Sequence, residues 1–376
     1  MNYSILRYIL GYVLKIEAAF MLLPCVTSLI YHEEEGRYFF VVACICMLIG
    51  VLMTLHKPKS TTFYLKEGCL ATSLSWILLS LFGAIPFWIS GEIPHWEDAL
   101  FETISGFTTT GATVLGNVEA LSHTALIWRS FTHWIGGMGV LVFLLAILPL
   151  SGGSSINLMR AESPGPSVGK LVPKVRYTAM ILYTIYFGMT VIEFIFLLAG
   201  HMPLFDALTT AFGTAGTGGF GIKNDSIMGY SPYIQWVVAI FMILFGINFN
   251  FYFYLLYRHF KKAVSMEEIH YYLAMILIAI TIIFLNVRTM YPTGFEAMTH
   301  SVFQVASLAT STGFSTTDFD LWPQTSQTIL IIVMFVGACA GSTGGGIKVS
   351  RIVILFKTVL KELNSYIHPK SVRKIN

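Results

Sequence analysis

Charge is what this sequence has least of. Asp, Glu, Lys and Arg make up 11% of its 376 residues, against about 25% in a soluble domain. That scarcity excludes an ordinary water-facing surface. A net charge of +3 leaves no basic field for nucleic acid. Cysteine is sparse as well: Cys25, Cys44, Cys46, Cys69 and Cys339 form no CxxC pair, so neither a disulfide framework nor a zinc site is indicated. No His/Asp/Glu cluster and no nucleophile with a neighbouring base stands out, which argues against a membrane enzyme.

Apolar residues fill the space left by charge. They account for 55% of the chain, mean hydropathy is +0.70, and the runs are long enough to cross a bilayer. Eight spanning helices are expected, near residues 5–30, 37–55, 68–90, 124–150, 176–200, 232–257, 269–290 and 326–363. The first run is too long for a cleaved signal and reads as a retained helix. Between the third and fourth, fifth and sixth, and seventh and eighth runs lie shorter half-apolar segments, near 97–108, 204–216 and 296–311. Ten to twelve helical residues reach about 15–18 Å, roughly half of a ~30 Å hydrocarbon core. Such a helix dips in and returns, with its irregular end shielded from lipid.

Each short segment runs into a strip of Thr, Ser and Gly. The strips are Thr108-Thr109-Thr110-Gly111-Ala112, Gly216-Thr217-Gly218-Gly219-Phe220 and Thr310-Ser311-Thr312-Gly313-Phe314. Matching run-ups begin thirteen residues before each glycine, at Asp98, Asp206 and His300. A fixed internal spacing marks one structural unit used several times: helix, re-entrant half-helix, strip, helix. The units are expected at 61–160, 170–262 and 266–365, with 1–60 as two additional N-terminal helices.

Charge orients them. Lys57, Lys59 and Lys66, then Arg160, Lys170, Lys174 and Arg176, then Arg258, Lys261 and Lys262, then Lys357, Lys361, Lys370, Arg373 and Lys374 lie on one side. The other side is acidic: Glu33, Glu34, Glu35, Glu92, Glu97, Asp98, Glu102, Glu119, Asp318 and Asp320. Lys/Arg excess marks the cytoplasmic face, which puts both termini inside and brings the half-helices in from outside.

Small residues at membrane depth expose backbone carbonyls. Rings of carbonyl oxygens replace the hydration shell of a monovalent cation, and glycine permits the backbone angles that turn them inward. Half-helices aiming their negative dipole ends at the axis suit a cation too. One such strip would more often be helix packing; three at one spacing favour a pore. An ion-coupled secondary transporter of a small solute is the competing reading, because broken helices occur there too, but it predicts inverted repeats and these all run one way.

The strips, with Phe107 and Thr113 flanking the first and Ser315-Thr316 following the third, join two further stretches: Ala161-Glu162-Ser163-Pro164-Gly165-Pro166 with Lys170-Leu171, and Ala340-Gly341-Ser342-Thr343-Gly344-Gly345-Gly346-Ile347-Lys348. In this combination the sequence resembles the TrkH-type branch of the Trk/Ktr/HKT superfamily of potassium transporters, along essentially its whole length. The resemblance implies an all-α polytopic membrane protein taking up potassium across the cytoplasmic (inner) membrane through a channel-like pore of four non-identical repeats. It implies a selectivity filter at Thr109, Thr110, Gly111, Thr217, Gly218, Gly219, Ser311, Thr312 and Gly313. Glycine at position 111 resembles the potassium-selective form. The resemblance also implies a homodimer and a cytosolic TrkA-type nucleotide-binding regulatory subunit, which would hold any nucleotide; the chain itself is expected to carry no cofactor beyond potassium as cargo. The filter glycines stand 108 and then 94 residues apart, so a fourth is expected beyond Asn376. The chain is expected to hold three of four repeats, with 366–376 starting the linker to the fourth.

Gly341, Ser342, Thr343, Gly344, Gly345 and Gly346 interrupt the eighth run. Consecutive glycines cost about 1 kcal/mol each in a helix relative to alanine, so the helix unwinds there. A phosphate-binding loop is excluded because Ile347 separates Gly346 from Lys348. The stretch is either a packing kink or, as the resemblance implies, an intramembrane gate loop ending at Lys348. Lys348 and Arg351 read equally as charge at the inner mouth or as cytoplasmic flank. Glu17 and Lys15 are expected to snorkel, Glu193 to pair with Arg129 or hydrogen-bond within the bundle, and His133 to pack between helices.

Overall fold

In the computed structural model, which describes residues 2–58, 65–139 and 175–367, the apolar runs are helices, and no strand occurs among the described residues. α1 (Tyr3–Phe20) and α2 (Leu22–Tyr31) make one apolar segment of 29 residues. The expected first helix breaks at Met21 because Pro24 has no N–H to return to the Phe20 carbonyl. α3 (Gly36–Thr54) comes back against α1. A Cβ on Gly50 would lie 2.7 Å from the Gly11 carbonyl oxygen, the close approach that small residues allow.

One order of elements then recurs: α4 (Leu65–Ile89), short α5 (Trp96–Phe107), strip, α6 (His123–Met138); α7 (Val175–Ala199), short α8 (Leu204–Ala215), strip, α9 (Pro232–Phe245); and α12 (Glu267–Val287), short α13 (Gly294–Ala309), strip, α14 (Gln324–Val336). Acidic residues open each short helix, at Glu97 and Asp98, Asp206, and Glu296, where the positive end of the dipole favours them.

Among the described residues, five helical segments are long and apolar enough to cross a membrane. Their outward faces carry Phe187 at 58% exposure, Ile195 at 56%, Leu277 at 63% and Leu285 at 60%, a dressing suited to lipid. Two expected spans differ. The run near 232–257 bends by 91° between α9 and α10 (Phe249–Leu256), and α11 (Phe260–Val264) follows. The run near 326–363 splits into α14 and α15 (Val349–Ile367), with an irregular loop between them. The expected helix near 124–150 is described only to Gly139. Arg160, Ala161–Pro166, Lys170–Leu171 and residues 368–376 lie outside the described residues.

The N-terminal pair is fastened to the rest through Glu33. Its carboxylate accepts the backbone N–H groups of His123 and Thr124, both at 2.9 Å, and the Thr124 hydroxyl at 2.6 Å. Those N–H groups are the unpaired donors of the first turn of α6. Burial alone would raise the Glu33 carboxyl; the hydrogen bonds from Thr124 and His123 overcome it and hold the group below the ordinary carboxylate range. Glu92, beside it, goes the other way: burial, with Glu35 and Glu33 nearby, pushes it up against the hydrogen bond from Ser122.

Candidate functional site

The three short helices end identically. Thr109, Thr217 and Ser311 have left-handed φ of 54°, 52° and 60°. Their N–H groups return to Gly106, Thr214 and Leu308 at 3.0, 3.0 and 3.2 Å. The next N–H, of Thr110, Gly218 and Thr312, reaches back to Ser105, Gly213 and Ser307 at 2.9, 3.0 and 2.8 Å. This is the Schellman closure, in which glycine is the usual left-handed residue. Here β-branched threonine takes it twice. Such a conformation costs about 1–3 kcal/mol and persists where the surroundings over-determine it.

Two residues on, the backbone is left-handed again, at Gly111 (74°), Gly219 (76°) and Gly313 (90°). At the first two of these a second reason also demands glycine. A Cβ on Gly111 would land on the Gly218 carbonyl oxygen, and a Cβ on Gly219 on that of Thr312. The strips therefore follow one another with a carbonyl of each next strip packed against the glycine of the one before. A Cβ on Gly313 would meet nothing within 4 Å. Thr108 and Thr110 are exposed at the opposite edge, while Gly216, Thr217 and Gly218 in the middle are buried.

Behind the carbonyls the strips are tied down. Ser105 Oγ donates to the Ala112 carbonyl and Ser307 Oγ to that of Phe314, each at 2.6 Å. The matching position of the middle unit is Gly213, and the Phe314 ring occupies the space a side chain would fill, 2.9 Å from its notional Cβ.

Arg129 of α6 and Glu102 of α5 form a buried pair, 2% and 0% exposed. Arg129 Nε and Nη2 both donate to Glu102 Oε1, at 2.7 and 2.6 Å. Glu102 also accepts the Thr113 hydroxyl at 2.9 Å and the Val114 N–H at 3.3 Å, just past the first strip. Arg129 Nη1 donates to the Gly221 carbonyl at 3.1 Å, and its guanidinium lies 3.9 Å over the Phe220 ring, just past the second. One expectation is corrected here: Glu102 is no outer-loop charge but a buried anchor. Of the two arrangements expected for Glu193, the pairing with Arg129 is ruled out, because Arg129 pairs with Glu102. Glu193 is buried beside Thr214 of α8. Glu17 does not snorkel either: it is 1% exposed and packs towards Gly83 of α4. Lys15 hydrogen-bonds the Thr54 hydroxyl at 2.6 Å.

The glycine loop lies under the third strip. Notional Cβ atoms on Gly344 and Gly345 would sit 3.1 Å from the Thr310 carbonyl and 2.7 Å from the Ser311 hydroxyl. The α9–α10 bend holds the loop: Cys339 N–H donates to the Gly246 carbonyl and Phe249 N–H to that of Gly341, both at 3.0 Å. The Thr343 hydroxyl donates to the Phe245 carbonyl at 3.3 Å, and Ser342 Oγ to that of Cys339 at 2.6 Å. Glu268 of α12 accepts the Ala340 N–H at 2.5 Å and the Asn248 side chain at 3.5 Å. Lys348 Nζ donates to the Gly344 carbonyl, so Lys348 belongs to the loop, whereas Arg351 is exposed on α15. Sequence reasoning missed Glu268 and Asn248; the signal available was the polar Asn248 and Asn250 beside Gly246 inside an apolar run.

A family model described as TrkH, cation transport protein, matches residues 36–376. The chain belongs to that family. Among its TrkH-family relatives, the Trk system potassium uptake protein TrkH of Salmonella typhimurium is 36% identical over 384 residues, which cover 100% of this chain and 79% of the relative. The Trk system potassium uptake protein TrkG of Escherichia coli is 32% identical over 381 residues, covering 99% and 78%. The crystal structure of the potassium transporter TrkH from Vibrio parahaemolyticus superposes with a TM-score of 0.88 at 29% identity, covering 100% of this chain and 79% of that one. The TrkH-family fold of this chain is thus an all-helical membrane architecture.

Proposed function

We propose that the chain takes up potassium across the cytoplasmic membrane through a pore whose selectivity filter is Thr109–Gly111, Thr217–Gly219 and Ser311–Gly313. The observation that carries this is the nesting of Gly111 on the Gly218 carbonyl and of Gly219 on the Thr312 carbonyl. Strips so arranged present hard oxygen ligands to a dehydrated monovalent cation. Relatives named as potassium uptake proteins support the choice of ion. Residues 61–160, 170–262 and 266–365 act as pore repeats, with 1–60 as a supporting helix pair. A closed ring needs a fourth strip against the open edges at Gly313 and Thr110. Both termini lie in the cytoplasm. Gly341–Gly346 with Lys348 form the gate, and the active assembly is a homodimer with a cytosolic TrkA-type nucleotide-binding subunit.

Growth of a potassium-uptake-deficient bacterium in limiting potassium tests this, with the chain alone and with a copy extended by a fourth repeat from a relative. Rescue by either, lost in Gly219→Ala, is the expected result. Failure of both at normal membrane expression would overturn the reading.

A further inference from the structure

The middle strip is held in a way the third is not. His133 lies on α6, one turn beyond Arg129, and is fully buried. Its ring stacks on Phe220 at 4.2 Å between centroids and 20° between planes. Nδ1 accepts the Phe220 N–H at 3.4 Å, which assigns the tautomer with the proton on Nε2. A Cβ on Gly218 would clash with the imidazole at both Cγ and Nδ1, and one on Gly216 would clash with the His133 carbonyl oxygen. The ring is therefore the wall behind Gly218, whose own carbonyl oxygen packs against Gly111. Counted from the N-cap serines Ser122 and Ser231, the positions of Arg129 and His133 correspond to Val238 and Met242 on α9, both apolar. So the strip after α6 has a polar clamp, and the strip after α9 has no equivalent side chains at those positions.

We propose that His133 is a specificity-determining positioning residue: by bonding the Phe220 N–H and walling Gly218, it sets where the Gly218 carbonyl stands and thereby which monovalent cation the site prefers. This rests on the potassium reading above. Groups behind a coordinating atom fix its position and tune ion affinity, and a site loosened by about an ångström loses discrimination. His133 need touch no ion to do this. Glutamine supplies an acceptor oxygen at similar reach; methionine fills similar volume but supplies no comparable acceptor.

The purified full chain, in detergent, is titrated with KCl and separately with NaCl while its melting temperature is followed. The native chain is expected to show tighter apparent binding of potassium than of sodium. Absence of that preference both in this chain and in the copy extended by a fourth repeat would sink the potassium reading itself; where only the extended copy shows it, the variants are made in that copy. Given the preference, His133→Met is expected to cut the potassium-to-sodium affinity ratio roughly tenfold, the lower end of the usual cost of losing a supporting group. His133→Gln is expected to retain most of the ratio. A folded His133→Met with the native ratio, or a loss in His133→Gln as large as in His133→Met, would overturn the proposal. The native chain gives a reading that does not need the methionine variant. In 15N-histidine spectra, the resonances absent from His133→Gln must show Nδ1 unprotonated and Nε2 protonated, and the opposite tautomer would overturn the proposal.

Discussion

Arg129 and Glu102 meet through two N–H groups on a single carboxylate oxygen, at 2.7 and 2.6 Å, with neither side chain reaching solvent. The pair joins the exits of two strips, since Glu102 holds Thr113 and Val114 while Arg129 holds Gly221 and Phe220. Removing one partner leaves the other charge buried and alone, which costs about 3–5 kcal/mol. Arg129→Met and Glu102→Leu are each expected to melt at markedly lower temperature in detergent. The double variant should lose less than the two singles added together. Additive losses in thermal melts would contradict the coupling.

Gly219 and Gly313 separate two effects of a side chain at the strips. Alanine at 219 would meet both a left-handed φ of 76° and the Thr312 carbonyl; alanine at 313 would meet only its φ of 90°. Backbone strain alone costs about 1–2 kcal/mol. Gly219→Ala is therefore expected to lower cation uptake more than Gly313→Ala, in rubidium-uptake assays normalised to expression of the extended copy.

The expected half-helices at 97–108, 204–216 and 296–311 match α5, α8 and α13 to within two residues at each end. Their short apolar stretch, opening acid and closing small residues are local features, so they are legible along the chain. The bend after Phe245 was not. Hydropathy stays high from Pro232 to Leu256 and records no direction, and the turn depends on Gly246 and Asn248 meeting a loop near residue 340. The Arg129–Glu102 pair was missed for a related reason. Glu102 reads as one more acid in an acidic stretch until α5 packs its face against α6. Thr109 and Thr217 were recognised as strip residues, but their left-handed backbone follows from the helix closure and not from threonine's own preference.

Glu33 and Glu92 give the outer end of α6 opposed responses to pH. Glu33 is held low when folded, so its contribution to stability is present above its unfolded value, about 4.3, and is lost as pH falls through the lower folded value. Glu92 is raised, so its ionised form destabilises the fold at neutral pH and that cost disappears as pH falls through its raised folded value. Acidification from neutrality should first stabilise the protein and then destabilise it. Glu92→Gln should remove the first arm and Glu33→Gln the second, as read from melting temperature against pH.

The loop beneath the third strip is held at Ala340 by Glu268, itself tied to Asn248. Glu268→Ala and deletion of Ser342–Gly345 are both expected to raise rubidium flux through the extended copy in liposomes. Unchanged flux in both would contradict the gate assignment.

The central claim is that potassium is coordinated where the three strips nest. Crystals of the copy extended by a fourth repeat, grown in rubidium and measured at the rubidium absorption edge, test it directly. The account predicts an anomalous peak bounded by the Gly218 and Thr312 carbonyl oxygens. Well-ordered strips with no peak there, or with rubidium bound only elsewhere, would contradict it.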